Sequence, residues 1–479
     1  MTANQGRDLR EAANGPLALR LSPRYLDEHC VLPLGIDPDG ALATAVGGPL
    51  DLTVSDELTR LFGRRLRLVE MPAGDIQAAI LSAQRETVAT GDESTADVLA
   101  GEGDGDDIGD LHALANQAPV IQLVNVMLRE ALRSGASDVH VESTVSGLRV
   151  RFRLDGVLQE ISRLARHYQA AVLSRIKIMA GLNIAERRLP QDGRARLRLG
   201  DREIDLRVST LPALHGESVV LRILDHGATA RDLSDLGMSH DAGERFDSLI
   251  RRASGILLVT GPTGSGKTTT LYGALARVNR PGVKIVTVED PVEYQIDGVT
   301  QIPANRKAGL TFAGALRSIL RHDPDVIMVG EMRDRETAEV AIQAALTGHL
   351  VFATLHTSDA PGGVTRLVNM GIEPYLVAAT VQGILAQRLV RVVCRSCRGS
   401  ACEACSRTGY AGRTGIFELM AMTEELRALV VARAPLDDIR AAAQRGGMKG
   451  LYQDGMSKVE AGITTVDEVL RVTSADAEP

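Results

Sequence analysis

The residues with the clearest chemistry form a glycine-rich segment that ends in a lysine and a threonine. In order they are Gly261, Pro262, Thr263, Gly264, Ser265, Gly266, Lys267 and Thr268. Glycines lack a Cβ, so backbone N–H groups can close around phosphate oxygens. The lysine then reaches the β- and γ-phosphates, and the threonine hydroxyl can ligate Mg²⁺. This spacing therefore predicts a P-loop that binds ATP and Mg²⁺.

A P-loop pattern is informative only when it lies between a buried strand and a helix. The apolar run 256–259 precedes it, and the residues from Thr269 to 276 predict a helix whose positive end faces the anion. Further apolar runs follow at 284–288, 325–329 and 349–354. Repeated strand–helix units of this kind predict a mostly parallel sheet with helices on both faces.

Acidic residues follow two of these runs, where a parallel sheet gathers its catalytic groups. The run 284–288 leads into Glu293, and the run 325–329 leads into Glu331. A carboxylate there can orient or deprotonate the attacking water, or hold Mg²⁺ through water. One acidic strand end alone is often a helix cap, but two on a P-loop sheet favour catalysis. We predict Glu331 as the catalytic carboxylate and Glu293 as a second acidic contributor.

Arginine is the expected source of the positive charge that neutralises a γ-phosphoryl transition state. Periodicity does not choose among the candidates, although Arg317 and Arg321 share a helix face at spacing i, i+4. The candidates are Arg207, Arg222, Arg317, Arg321 and Arg333. For Arg207 and Arg222, which lie on predicted strands, the residues by themselves favour an ordinary solvated role.

A cluster of cysteines predicts a metal site. Cys30 stands alone, and the other four are Cys394, Cys397, Cys402 and Cys405. Two C-x2-C thiolate pairs are natural ligands of tetrahedral Zn²⁺. The four-residue central spacer is short for a two-knuckle site, so reduced thiols without metal stay open as the alternative. The pattern is not a disulfide framework and suits a reducing compartment.

Length and charge limit the class of protein. A chain of 479 residues should hold two to four domains, and its net charge of −7 argues against a nucleic-acid footprint over the whole surface. No run approaches about 18 apolar residues, and the N-terminus lacks the apolar core of a signal peptide. We therefore expect a cytoplasmic protein whose membrane association comes through partners.

Composition divides the chain into four predicted segments. Residues 1–90 begin with a polar stretch to 16 and then alternate short apolar stretches with turns from about 17 to 88. This predicts a small α/β domain, for docking or merely for folding. Residues 91–110 are rich in glycine and acidic residues without any basic one, so we predict a flexible linker rather than an acidic tail for a basic partner. Residues 111–228 predict a sheet with helices on one side. Residues 229–479 predict the P-loop domain, with the cysteine segment 394–405.

The motifs between about 111 and 475 together resemble the secretion ATPase superfamily, and most closely its type II secretion system branch. Beside the P-loop, Glu293 and the cysteines, they comprise residues 135–142 (GASDVHVE), 187–194 (RRLPQDGR), 323–331 (DPDVIMVGE), 348–357 (GHLVFATLHT), 385–390 (LAQRLV) and 409–415 (GYAGRTG). So many motifs in one order are specific for the superfamily and less decisive between its branches.

The resemblance implies a fold and a set of site residues. It implies a hexameric ring with a RecA-like P-loop NTPase motor domain, preceded by a PAS-like α+β domain and a small N-terminal α/β docking domain. ATP would sit between the motor and the PAS-like domain. Matching positions are Lys267 and Thr268 on phosphate and Mg²⁺, Glu293 in an acidic box, Glu331 as catalytic glutamate, Arg207 and Arg222 on phosphates, and His349 and His356 in a histidine box. Relatives hold Zn²⁺ on a longer tetracysteine insert.

The resemblance also implies partners. The N-terminal domain would dock on an inner-membrane assembly protein, and the ring would engage a polytopic membrane platform protein, with no nucleic acid expected. The leading hypothesis is an ATPase at the bacterial inner membrane that drives pseudopilus assembly and protein export. Alternatives are a type IV pilus extension motor, a nucleic-acid translocase, and a scaffold that binds ATP without hydrolysis.

Overall fold

A computed structural model describes the larger part of the chain. The described residues are 29–37, 39–77, 114–199, 202–225 and 233–473, together with residues 9, 12, 17, 18, 21, 25, 26 and 79. Their strands form three separate sheets within these ranges. The predicted linker 91–110 and residues 226–232, around the predicted boundary at 228, lie outside the described residues, so the domain limits stay predictions.

The first sheet belongs to the small N-terminal unit. Strands β1 (Val31–Ile36) and β2 (Leu42–Val46) form an antiparallel hairpin, and β3 (Leu66–Glu70) lies parallel to β2. Helix α1 (Leu52–Phe62) connects β2 to β3 and buries Val54 and Leu58 in the same core as the strands. A parallel pair needs such a crossover connection. The mixture of strands and helix agrees with the predicted small α/β unit.

The second sheet is antiparallel and carries two helices. Its strands are β4 (Asp138–Thr144), β5 (Gly147–Leu154), β6 (Val157–Ala165), β7 (Gln191–Leu199), β8 (Arg202–Ala213) and β9 (Gly216–Asp225), and the helices are α2 (Ala118–Arg133) and α3 (Gln169–Met179). Among residues 138–225 outside the gap at 200–201, the strand order is β6-β5-β4-β9-β8-β7. Alternate residues of β5 such as Val150 and Phe152 face a core that α2 and α3 also fill. Helix α2 has Pro119 in its first turn, where a missing backbone N–H costs no helical hydrogen bond.

The third sheet is the largest and holds the P-loop. Its strands are β10 (Gly255–Thr260), β11 (Ile285–Glu289), β12 (Val299–Pro303), β13 (Val326–Val329), β14 (Leu350–Leu355), β15 (Val381–Val393) and β16 (Tyr410–Ala421). Within residues 233–473 the order is β12-β11-β13-β14-β10-β15-β16. All neighbours are parallel except β16, which is antiparallel to β15. The predicted parallel α/β sheet is confirmed.

Helices cover both faces of this sheet. They are α4 (His240–Ile250), α5 (Lys267–Val278), α6 (Phe312–Ile319), α7 (Arg335–Leu346), α8 (Ala360–Asn369), α9 (Pro374–Thr380), α10 (Glu424–Val431), α11 (Leu436–Arg445), α12 (Leu451–Glu460) and α13 (Val466–Thr473). Strand β10 is buried throughout and contributes alternate residues to two cores. Helices α4 and α5 pack on one side, and α6, α7 and α8 on the other. Across the described residues, no helix combines the length and apolar character needed to cross a membrane.

Candidate active site

The P-loop forms the turn between β10 and α5, at the carboxyl end of a central strand. Gly266 has a φ angle of +88°, which residues with a Cβ rarely adopt. A Cβ on Gly261 would lie 2.5 Å from the carbonyl oxygen of Gln387, so only glycine fits there. Within the described part of the chain, the buried Oγ atom of Ser265 has no hydrogen-bond partner. This Cβ-free turn with an unused hydroxyl fits the phosphate group that the sequence predicts.

Lys267 begins α5 and folds back over the turn. Its Nζ atom donates hydrogen bonds to the carbonyl oxygens of Gly261 and Pro262, at 2.7 and 2.9 Å. Burial, reinforced by the positive charge of Arg388 and opposed by the negative charge of Glu331, lowers the pKa of Lys267 to about 8. A partly desolvated ammonium held at the rim of the turn is well placed to bind a polyphosphate.

The remaining P-loop residues face solvent at the same rim. Thr263 and Gly264 are exposed at the tip of the turn. Thr268 is exposed and Thr269 is half-buried in the first turn of α5. A threonine hydroxyl is the hard oxygen ligand that Mg²⁺ prefers, and the helix N-terminus favours the negative phosphates beside it.

Glu331 follows β13 and points toward the end of β14. Its Oε2 atom lies 2.6 Å from Nε of Arg333 and 4.0 Å from Nε2 of His356. The carboxylate is largely shielded, with 15% of its side chain exposed. Burial and the positive charges of Lys267 and Arg333 lower the pKa of His356, while the negative charge of Glu331 opposes this shift. The imidazole of His356 also forms a hydrogen bond with the backbone of Gly261. The structure thus brings Glu331, His356 and the P-loop together at one edge of the sheet.

His349 lies at the opposite edge of that sheet, which corrects its predicted place at the nucleotide. It precedes the first residue of β14, and its Nδ1 atom contacts the carbonyl oxygen of Ala344 at 2.9 Å and the hydroxyl of Thr347 at 3.1 Å. The six residues of β14 separate it from His356 by about 20 Å. His349 therefore caps the C-terminal end of α7 and does not line the P-loop of its own chain.

Glu293 and Arg207 join the two larger units. Nη2 of Arg207 on β8 lies 3.5 Å from Oε2 of Glu293, which follows β11. The backbone N–H of Glu293 donates to the hydroxyl of Tyr272 on α5 at 3.3 Å. Burial lowers the pKa of Arg207, while Glu293 opposes that shift. The predicted acidic contributor is therefore paired with the predicted phosphate arginine across the domain boundary.

Arg222 neighbours Arg207 but faces a different partner. In the cross-strand register, Arg207 lies opposite Arg194 on β7 and opposite Arg222 on β9, and Arg222 lies opposite Asp138 on β4. Directly opposite residues share a sheet face, so these side chains form one row. Nε of Arg222 donates to Oδ1 of Asp138 at 2.9 Å. Burial raises the pKa of Asp138, but hydrogen bonds from Arg222 and Ser137 outweigh it and lower that pKa.

The other candidate arginines divide clearly. Arg333 contacts the predicted catalytic carboxylate, as described above. Arg317 on α6 pairs with Glu336 at 2.8 Å, and Arg321, which lies beyond the end of α6, donates to the carbonyl oxygen of Arg317 at 3.0 Å. The predicted shared helix face is therefore wrong, because the helix ends before Arg321, and both side chains are exposed. Among the described residues, neither Arg317 nor Arg321 forms a hydrogen bond or an ion pair with the P-loop or with Glu331.

Sequence reasoning missed the structural role of one buried carboxylate beside the site. Glu289, the last residue of β11, is buried and accepts hydrogen bonds from Tyr272, from Thr287 at 2.5 Å and from Gln301 at 3.1 Å. It anchors the segment that leads to Glu293. Its position at the end of an apolar run was the available signal, but that signal equally suits a residue that acts on substrate.

The four cysteines converge in the turn between β15 and β16. Their sulfur atoms lie within 4.8 Å of one another, and three Sγ–Sγ distances are 3.8 to 3.9 Å. Tetrahedral Zn²⁺ with Zn–S bonds of about 2.3 Å requires sulfur atoms about 3.8 Å apart. The short central spacer therefore does not exclude any thiolate, and the donor set fits zinc.

Comparisons with known proteins agree with this geometry. The family described as "Type II/IV secretion system protein" matches residues 113–471, and the "MshEN domain" family matches residues 7–90. The chain is 47% identical to the type II secretion system protein E of Xanthomonas campestris pv. campestris, over 95% of this chain and 84% of that protein. It is 43% identical to the type II secretion system ATPase E of Vibrio cholerae serotype O1, over 89% and 91% of the two chains.

A solved structure shares the fold at lower identity. The crystal structure of the pilus retraction motor PilT with bound ADP aligns with 74% of this chain and 97% of that chain, at a TM-score of 0.53 and 26% identity.

Proposed function

The chain belongs to the type II/IV secretion system protein family, and from that premise we propose that it hydrolyses ATP with residues 261–269 and Glu331. Its relatives place it in the type II branch, so it is a RecA-like ATPase coupled to protein secretion. One observation carries the assignment of the site. The P-loop, Glu331 and His356 converge at the carboxyl edge of one parallel sheet.

Each site residue has a distinct proposed task. The N–H groups of the P-loop and Lys267 hold the phosphates, and Thr268 ligates Mg²⁺, which when bound supplies charge neutralisation. Glu331 orients the attacking water and accepts its proton. His356 keeps Glu331 and the P-loop in register through its contacts with both. Arg333 pairs with Glu331 at 2.6 Å and helps to fix the position of that carboxylate.

The second domain supplies the remaining positive charge. We assign Arg207 and Arg222 to the nucleotide phosphates, since they lie in one row on the sheet face that reaches Glu293. The contact of Arg207 with Glu293 supports a nucleotide position between the two domains. Release of Arg207 toward phosphate would let hydrolysis change the angle between the domains. A homo-hexameric ring of such units would turn that motion into work.

The tetracysteine turn is proposed to hold one structural Zn²⁺. Cys394, Cys397, Cys402 and Cys405 supply a closed set of four sulfur ligands, which is typical of structural sites. Within this turn, Gly409 donates its N–H to the sulfur of Cys405 at 3.3 Å, an outer contact of the kind that orients metal ligands.

We place the protein in the cytoplasm, attached to the inner membrane through partners. The N-terminal unit, which matches the MshEN domain, is the proposed docking site for an inner-membrane assembly protein. The ring would engage a polytopic platform protein, and nucleic acid is not among the expected partners. Affinity capture from native membranes should recover secretion components. Recovery of type IV pilus components instead would contradict the type II assignment.

Two substitutions test the catalytic roles. We expect Lys267→Ala to weaken both ATP binding and turnover, because it removes the cation at the phosphates. We expect Glu331→Gln to bind ATP normally while turnover falls by about 10²- to 10⁴-fold, the usual contribution of a general base. Equilibrium binding of ATP and release of phosphate measure the two effects separately. Turnover of Glu331→Gln equal to that of the unmodified protein would falsify the assignment of Glu331.

A further inference from the structure

The segment that joins β14 to α8 carries His356 into the site. We call residues 356–359 the histidine loop. Its second residue, Thr357, is tied to the last residue of β10, because the Thr357 N–H donates to Oγ1 of Thr260 at 2.8 Å and the two hydroxyls lie 2.7 Å apart. Asp359 then caps α8 by accepting from the N–H of Gly362 at 2.9 Å. Residues on both sides of the loop therefore limit where His356 can lie.

Arg388 on β15 makes the next attachment of this loop. Its Nη2 atom donates to the carbonyl oxygen of Ser358 at 2.7 Å, and its Nη1 atom donates to the carbonyl oxygen of Gln387 at 3.2 Å. Only 7% of Arg388 is exposed. Burial of the Arg388 guanidinium costs free energy, because the charged group loses its contacts with water. The positive charge of Arg388 also lies close enough to Lys267 to oppose protonation of that amine. A cation in this place is therefore costly to the fold.

The neighbouring residue, Gln387, contacts the P-loop and the start of α5 from the other face of β15. Its Oε1 atom accepts from the hydroxyl of Thr270 at 2.6 Å, and its Nε2 atom lies 2.7 Å from where a Cβ on Gly266 would be. Successive residues of a strand point to opposite faces. One dipeptide thus holds the P-loop on one side of the sheet and the histidine loop on the other.

We propose that Arg388 is a positioning residue for ATP hydrolysis, which holds the histidine loop so that His356 stays between Gly261 and Glu331. The proposal rests on the proposed function, since it presumes that Glu331 activates water at the P-loop. Arg388 contacts Ser358, two residues from His356, so its effect on the reaction is indirect. The P-loop keeps its own contacts with Gln387, so ATP binding should depend on Arg388 much less than turnover does.

Loss of the guanidinium should separate turnover from binding. Without it, the carbonyl group of Ser358 loses its donor and the histidine loop can move. A displacement of about 1 Å in a catalytic arrangement can reduce the rate by about 100-fold. We therefore expect Arg388→Gln to lower kcat by about 10- to 100-fold while the Kd for ATP changes by less than about twofold. Arg388→Lys, which can still donate to one carbonyl group, should retain more activity than Arg388→Gln.

The experiment compares these variants of the full chain with Arg445→Gln. Arg445 is an exposed residue of α11 that pairs with Glu425 at 2.6 Å, so this control removes an arginine away from the site. The measurements are ATP binding, phosphate release and amide hydrogen exchange of residues 356–360 and 261–270. We expect faster exchange in 356–360 of Arg388→Gln and unchanged exchange in 261–270. The control should match the unmodified protein in all three.

Three outcomes would overturn the proposal. They are kcat of Arg388→Gln within about twofold of the unmodified protein, a loss of ATP binding as large as the loss of kcat, or unchanged exchange in 356–360. If Arg388→Gln does not fold, the test passes to Arg388→Lys. Turnover of Arg388→Lys equal to that of the unmodified protein would then overturn the proposal. A failure of the proposed function itself would look different, because the unmodified protein would then lack hydrolysis that depends on Lys267.

Discussion

The ion pair between Arg207 and Glu293 gives the sharpest prediction, because it competes with the proposed role of Arg207. Arg207 cannot at once pair with Glu293 and neutralise a phosphate. We therefore expect Glu293→Gln to bind ATP more tightly than the unmodified protein. We expect its turnover to fall, because the same substitution removes the second acidic contributor. Opposite changes in affinity and turnover are the signature of this arrangement.

The geometry of the pair sets the size of the effect. At the observed 3.5 Å, an effective dielectric constant of about 20 would give an attraction of about 5 kcal/mol. The side chains are 24% and 39% exposed, so solvent screening reduces the net value to about 1 kcal/mol. Removal of that competition should lower the Kd for ATP by about fivefold.

Equilibrium binding of a fluorescent ATP analogue measures this change. Glu425→Gln is the matched control, since it breaks an exposed arginine pair elsewhere and should leave the Kd unchanged. In an Arg207→Gln background, Glu293→Gln should give no tightening, because no arginine is left to release. Unchanged or weaker binding by Glu293→Gln alone would refute the reasoning, as would equal tightening in the Arg207→Gln background.

Three further predictions follow from the structure. His349→Ala should change the Kd for ATP by less than about twofold, whereas His356→Ala should lower kcat by about tenfold or more. If the two substitutions had the same effect on ATP binding and on turnover, the placement of the two histidines would be contradicted. Burial alone would raise the pKa of Glu468, but hydrogen bonds from Arg471 and Arg391 outweigh it and lower that pKa to about 2. The ionised carboxylate therefore stabilises the fold at any pH above the ordinary carboxyl pKa. This stabilisation is lost as the pH falls toward 2. Glu468→Gln should thus reduce the free energy of unfolding at pH 7 by about 3 kcal/mol, and the difference from the unmodified protein should narrow below about pH 4.5 in urea titrations; a constant difference from pH 7 to pH 3 would contradict this. Metal analysis should find about one Zn²⁺ per chain, lost on Cys402→Ser, and a value well below one in the unmodified protein would remove the zinc assignment.

The sequence by itself was sufficient for the features that depend on neighbours along the chain. The spacing of residues 261–268 between an apolar run and a helix predicted the P-loop, and β10 and α5 confirm both flanking elements. Runs of buried apolar residues likewise predicted the parallel strands, because a strand covered on both faces has no polar alternation. Glu331 was predicted from its place just after such a run.

Only the tertiary structure decided which of these residues meet. His349 and His356 belong to one motif, yet a strand places its ends at opposite edges of a sheet, so only His356 reaches the P-loop. Arg207 and Arg222 looked equivalent as strand residues. The register of β9 and β4 sets Arg222 opposite Asp138, whereas Arg207 on β8 contacts Glu293, which follows β11 of another sheet. Gln387 and Arg388 are far from the P-loop in sequence and adjoin it because β15 pairs with β10. Strand order and register arise from contacts between distant parts of the chain, which local spacing does not encode.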